Sequence, residues 1–325
     1  MVEAGDPPGG SPGTHRRWVA VVVLALLATL AVVSTRAPQP EPSFVEWIDI
    51  AYTAADNPQQ RLDLYVPRPN RGPAALVVFI HGGGWQFGNK SLIGRGAAFA
   101  SFRKVLLANG YAVASVNYRL TPEGAFFPDQ IHDVKAAVRY LNVTGSQYGV
   151  DATRIVVAGD SAGGNLAMLM GSTIGDPDLE GEVGVRGRAA GIRGVVSYYG
   201  TADQQRIFLD REELGCDRGA PGSRSNQGML FGGIDPSDPA NANIVEPGNP
   251  VRRASAASVP MLFFHGTSDC IVPHTQAVRM AGLLSEAGVA NEVVLIDTGH
   301  SDPAFYSRPD LQDQLLEFLD ARLAR

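Results

Sequence analysis

The strongest constraint on the fold lies between residues 154 and 170. A β-branched, apolar run, Arg154 to Ala158, ends in Gly159-Asp160-Ser161-Ala162-Gly163, and a helix-forming run, Asn165 to Met170, follows. A strand that turns into a helix through Gly-x-Ser-x-Gly is a nucleophile elbow. The flanking glycines are needed because the backbones approach too closely for a Cβ, and the serine between them is held strained. The turn leaves a hydroxyl standing at the end of a sheet strand, beside a helix N-terminus. The same pentapeptide also suits an ordinary glycine-rich strand–helix turn. The partners of the serine decide between the two.

A serine hydroxyl is a weak nucleophile until a base takes its proton, and the base needs a third group to fix its tautomer. On a sheet of this kind both come from loops after later strands, the acid first and the histidine second. The apolar strand Met261 to His265 leads into Gly266-Thr267-Ser268-Asp269, and the strand Asn291 to Ile296 leads into Asp297-Thr298-Gly299-His300. Asp269 and His300 are therefore the expected acid and base of Ser161. Asp297 competes as the acid, but it is too near His300 in the chain to lie across from it. Of the six histidines, His15 falls in the N-terminal head, His81 and His265 stand at strand ends before glycine, His132 sits on a predicted helix and His274 begins one. Structural roles are expected for the last four.

A tetrahedral intermediate needs donors aimed at its oxyanion. His81-Gly82-Gly83-Gly84-Trp85 follows the apolar strand Ala75 to Ile80. Gly82 and Gly83 are the expected donors, with the N–H of Ala162 as a third. Trp85 and Asp160 are candidate pocket residues. So are Phe208 and Phe231, and core packing is an equal alternative for each of these aromatics.

Strands are expected at Phe44–Tyr52, Arg61–Val66, Ala75–Ile80, Tyr111–Asn117, Ile155–Ala158, Val195–Tyr199, Met261–His265 and Asn291–Ile296. The first two read as antiparallel edge strands around the turn Asp56-Asn57-Pro58. Helices are expected at Gly96–Ala108, around Ile131, Val134, Val138 and Leu141, at Asn165–Met170, His274–Ala287 and Leu311–Leu323. Strands apolar on both faces and separated by helices imply a mostly parallel sheet with helices on both sides, an α/β fold. Residues 200–250 are rich in Gly, Pro, Asn, Asp and Ser without apolar periodicity, and read as an irregular lid or pocket wall over the carboxyl ends of the strands.

The chain divides into a polar head (1–17) expected to be disordered, an apolar segment (18–34), a linker (35–43) and one catalytic domain (44–325). Arg16 and Arg17 precede an unbroken apolar run from Trp18 to Val33, which reads as a signal or an anchor with the head inside and the body outside the cytoplasm. An exported chain with two cysteines favours a Cys216–Cys270 disulfide. The formal charge of −6 carries no basic footprint for nucleic acid. No Cys-x-x-Cys or His-x-x-x-His spacing suggests a metal, and the expected chemistry needs no cofactor. Asn142-Val143-Thr144 has the form of a glycosylation acceptor, but it sits at a predicted helix end and reads as incidental.

With these residues in hand, the chain resembles the α/β-hydrolase-fold serine esterases of the hormone-sensitive-lipase-like group over Phe44 to Arg325. The resemblance is carried by His81-Gly82-Gly83-Gly84-Trp85, Asn117-Tyr118-Arg119-Leu120-Thr121-Pro122-Glu123, Phe127-Pro128 and Gly159-Asp160-Ser161-Ala162-Gly163-Gly164-Asn165. It implies Ser161 as nucleophile, His300 as base and Asp269 as acid. The acid motif, His265-Gly266-Thr267-Ser268-Asp269-Cys270-Ile271-Val272-Pro273, departs from the Asp-Pro-Leu form. Together with Asp133-Val134-Lys135-Ala136-Ala137-Val138-Arg139-Tyr140-Leu141 it is similar to the bacterial acetyl-xylan and feruloyl esterase-like subgroup. No helical cap precedes the first strands, which implies a more open pocket. The expected activity is cleavage of small carboxylic esters, with short acyl chains. The alternatives are an amidase, formamidase or peptidase on the same fold, and a non-catalytic membrane-tethered binding module.

Overall fold

Eight apolar segments pair into a single sheet in the computed structural model, which describes residues 43–69, 72–216 and 222–324. The strands are β1 (Ser43–Ala51), β2 (Arg61–Arg68), β3 (Ala74–Ile80), β4 (Ala112–Val116), β5 (Val150–Asp160), β6 (Ile192–Tyr198), β7 (Met261–Gly266) and β8 (Asn291–Ile296). Their order is β1-β2-β4-β3-β5-β6-β7-β8. β1 pairs antiparallel with β2, and β2 with β4. Every later pairing is parallel. All eight strands stand where hydrophobic patterning put them; β5 starts earlier and runs longer than expected, and β4 is shorter.

The register aligns the strand ends that matter. Ile80 of β3 lies opposite Gly159 of β5, Asp160 opposite Tyr198 of β6, and Gly266 of β7 opposite Ile296 of β8. The loops that follow β3, β5, β6, β7 and β8 therefore open at one edge of the sheet, the carboxyl edge where open α/β sheets bind ligands.

Alternation along the central strands sends side chains to both faces. On β3, Leu76, Val78 and Ile80 join one buried cluster, and Ala75, Val77 and Phe79 join the other. Five helices cover the two faces: α1 (Ala97–Ala108), α2 (Asp129–Thr144), α3 (Ala162–Ser172), and, past the 200–250 segment, Thr275–Glu286 and Pro309–Leu323. Phe102 and Leu106 of α1 pack with Leu315 and Leu319 of the last helix. Val134 and Val138 of α2, Leu166 and Met168 of α3, and Met280 and Leu284 of helix Thr275–Glu286 line the opposite face. Each large aliphatic buried this way contributes roughly 1.5–3 kcal/mol relative to exposure.

The described residues between 200 and 250 are more ordered than their composition suggests. They form two short helices, α4 (Ile207–Glu213) and α5 (Asn226–Leu230), joined to further helical turns. The Ser225 hydroxyl caps α5 by accepting from Gly228 N at 2.9 Å. The apolar anchors are too widely spaced to show a period: Ile207 and Phe208 pack with Val272, while Leu230, Phe231 and Val245 reach the main core. α4 is locked by Asp210, fully buried, which accepts from both terminal nitrogens of Arg279 at 2.7 and 2.8 Å and from Gln276 Nε2 at 2.7 Å. Cys216 and Cys270 are joined in a disulfide, Cα to Cα 5.4 Å.

The apolar segment 18–34 and its head lie outside the described residues. Among the described residues no helix is long and apolar enough to cross a membrane. Asn142 is occupied by the fold: its Nδ2 donates to Ala152 O at 2.7 Å and Ala190 O at 3.2 Å, and its Oδ1 accepts from Ala190 N at 3.0 Å.

Candidate active site

β5 turns into α3 at Ser161, whose φ is 51° and ψ −114°. That is a strained conformation for a residue with a Cβ, and it persists because its surroundings fix it. Ser161 N donates to Tyr198 O at 2.9 Å. A Cβ on Gly159 would lie 2.3 Å from Gly163 O, and one on Gly163 would lie 2.0 Å from Ile80 O. The turn can close only with glycine at both positions.

Ser161 Oγ lies 3.0 Å from His300 Nε2, and His300 Nδ1 lies 2.7 Å from Asp269 Oδ2. The three expected residues therefore meet, from the ends of β5, β7 and β8, in one hydrogen-bonded line. Asp269 is fully buried, and its other oxygen accepts from Ile271 N and Val272 N, both at 2.9 Å. Burial alone would raise its carboxyl, but the imidazoles of His265 and His300 outweigh that and hold it well below the usual carboxylate range. Asp297, the competing acid, instead accepts from the hydroxyl of Ser268 at 3.2 Å on the surface. The Tyr199 ring meets the His300 ring edge-on at 4.8 Å, and the Tyr199 hydroxyl is 2.7 Å from that of Tyr306.

Three of the remaining described histidines are occupied elsewhere. His81 is buried and stacked on Tyr118 at 4.4 Å, its Nδ1 donating to Gly82 O at 2.7 Å. His132 Nε2 contacts Asp178 O at 3.0 Å, and His265 Nε2 donates to Val272 O at 2.7 Å. His274 immediately precedes helix Thr275–Glu286.

The loop after β3 corrects one expectation. Gly82 N–H donates to Asp160 Oδ1 at 2.7 Å, so it is not a free oxyanion donor. The carboxyl lies directly beneath it: a Cβ on Gly82 would fall 2.5 Å from Asp160 Oδ2. Among the described residues, the N–H groups of Gly83, Gly84 and Ala162 have no protein acceptor. The Gly84 N–H is thus a free donor beside Gly83 that sequence reasoning passed over. Three consecutive glycines signal a donor loop, but which N–H is taken depends on a side chain from another strand.

Two pocket expectations also change. Trp85 is 1% exposed and belongs to the main core, not to an open wall. Asp160 is 7% exposed and serves as the floor under the glycine loop. Phe208 and Phe231 are buried, the latter against Phe127. An aromatic that does face solvent beside the glycine loop is Phe87, 66% exposed, whose ring lies 3.0 Å from where a Gly83 Cβ would be. Beside it, Gln86 Nε2 donates to Asn226 Oδ1 at 2.7 Å, tying α5 to the glycine loop.

Asp160 gives a pH prediction. Burial pushes its carboxyl up from an ordinary 3.8 to about 6, against the opposing pull of the Gly82 N–H and His300. Its folded value exceeds its unfolded one, so this group's stabilisation is complete below the unfolded value and is lost as pH rises through about 6. His81, held down from 6.5 to about 4 by burial, works in the opposite direction as pH falls. Asp160→Asn removes only the first effect and keeps an acceptor for Gly82. The variant's stability relative to wild type therefore rises by about 3 kcal/mol between roughly pH 4 and pH 7, read by urea unfolding at each pH. A flat difference would show that the carboxyl is not under burial stress.

An elbow serine, a histidine and a buried aspartate at the carboxyl edge of a mostly parallel sheet define the chain as an α/β-hydrolase-fold protein. A model of the BD-FAE family matches residues 62–284, and the chain belongs to that family. It is similar to the esterase LipC of Mycobacterium tuberculosis, 29% identical over 225 residues, covering 68% of this chain and 51% of that one. The chain thus spans about half the length of this curated relative. Among solved structures, it resembles a truncated carbohydrate esterase from gut microbiota, with a TM-score of 0.76 and 24% identity, covering 88% of this chain and all of that one. It also resembles the bifunctional GH43-CE protein of Bacteroides eggerthii, with a TM-score of 0.76 and 28% identity, covering 86% of this chain and 35% of that one.

Proposed function

We propose that this chain is a carboxylic ester hydrolase working through an acyl-enzyme on Ser161. The observation that carries the reading is the line from Ser161 Oγ through His300 to the buried Asp269. In the first step Ser161 Oγ attacks the ester carbonyl carbon while His300 Nε2 takes its proton, and Asp269 stabilises the imidazolium that forms. The oxyanion is held by the N–H groups of Gly83 and Ala162, with Gly84 next along the loop. His300 then gives the proton to the leaving alcohol. Water repeats the sequence on the acyl-serine and releases the acid.

The substrate reading is a short acyl group on a carbohydrate or similar alcohol. It is supported by membership of the BD-FAE family and by the carbohydrate-esterase neighbours. Exposed Phe87 beside Gly83 would offer a flat apolar face at the mouth of the site. The body works outside the cytoplasm, a reading supported by the Cys216–Cys270 disulfide.

The test is hydrolysis of p-nitrophenyl esters from acetate to palmitate by the full chain, beside matched anilides. Turnover falls as the acyl chain lengthens, and esters exceed anilides. Faster anilide cleavage would point to an amidase. A folded chain inert on every ester would remove the proposal.

A further inference from the structure

The triad accounts for the oxygen of Asp269 that faces His300. The other oxygen, Oδ1, is held by two backbone N–H groups, those of Ile271 and Val272. A turn that grips a catalytic acid must itself be held, and two side chains hold this one, Arg211 from α4 and His265 from the end of β7.

The carbonyl of Ile271 shares a peptide group with the N–H of Val272. That carbonyl accepts from Arg211 of α4 through both Nε, at 2.9 Å, and Nη2. The guanidinium is fixed over the Phe208 ring at 5.1 Å. A cationic donor on the C=O polarises the peptide and strengthens the N–H it presents on the far side. The next carbonyl, Val272 O, accepts from Nε2 of His265 at 2.7 Å. The same nitrogen stands 3.5 Å from Asp269 Oδ2. His265 is fully buried, and a carbonyl acceptor requires Nε2 to carry the hydrogen.

We propose that His265 and Arg211 are positioning residues for Asp269, acting through the turn 270–272. Neither touches substrate or the reacting atoms. Arg211 holds the peptide whose N–H, that of Val272, grips the carboxylate, and His265 pins the next carbonyl while its Nε2 faces Asp269 Oδ2 at 3.5 Å. This inference rests on the ester-hydrolase reading above.

The test uses the full chain with active sites counted by a p-nitrophenyl ester burst, so that kcat refers to competent sites. His265→Phe keeps a ring of similar size and removes the donor. Its expected kcat is about 10- to 100-fold lower, with KM unchanged, because a small rotation of the acid misaligns the base and leaves binding alone. His265→Gln, whose amide nitrogen can reach Val272 O, restores most of the loss. Arg211→Met lowers kcat in the same way, and it carries the test if His265→Phe does not fold. Wild-type kcat in the folded variants overturns the inference, and so does a loss that glutamine fails to restore, since that would be packing alone. A wild-type chain with no Ser161-dependent ester turnover defeats the underlying reading instead, and the two failures are distinguishable.

Discussion

Ser161→Ala is expected to lower kcat by about 10⁴- to 10⁶-fold on any ester the wild type cleaves. The size follows from the division of labour at the site. Without Oγ there is no acyl-enzyme, and His300 has no nucleophile to activate. What remains is whatever oxyanion stabilisation by Gly83 and Ala162 can offer to an attacking water. The fold should be untouched, because the turn is held by Ser161 N donating to Tyr198 O and by the glycines on either side, and none of these involves the hydroxyl. The melting curve should therefore overlay that of wild type. A variant that keeps even a tenth of wild-type turnover would place the nucleophile elsewhere.

Gly163→Ala should have the largest effect on stability. The added Cβ would lie 2.0 Å from Ile80 O and 2.7 Å from His81 O, and both are backbone atoms. A flexible side chain could rotate away, but the end of a central strand cannot. Relief would require α3 to lift from β3, which opens the core to which Leu166 and Ile80 both belong. The expected loss is about 4 kcal/mol or more, at the upper end of what single substitutions do. A chain of this size would be left marginal or insoluble. Denaturant unfolding measures it, and a midpoint within error of wild type would mean that the elbow is looser than its geometry.

Much of this was legible from the residues because the informative signals are local. The strands announce themselves as apolar runs, and the elbow by glycine spacing. Asp269 and His300 followed from their places after late strands, which chain order alone supplies. The misreadings were non-local. Nothing in His81-Gly82-Gly83-Gly84-Trp85 shows that a carboxylate from β5 occupies the first glycine N–H. Trp85 beside a donor loop reads equally as pocket wall or core, and only the packing separates them. The helices α4 and α5 are short and anchored by only one or two apolar residues each, so no period marks them. The clamp of Arg211 on Ile271 O joins residues 60 apart, with no spacing rule to reveal it.

The alignment of strand ends at the carboxyl edge has a consequence for how this chain comes to life. Ser161 and His300 are 139 residues apart in sequence. Bringing them together requires β6, β7 and β8 to be in place beside β5, and such long-range parallel pairing is slow. No subset of the chain short of His300 can hold the whole proton path, so a nascent polypeptide is chemically silent until β8 and the loop after it have docked. Turnover is then a gauge of the assembled sheet: a molecule whose β8 has not docked contributes nothing to the signal, and the first detectable product marks the moment that strand has found its neighbour.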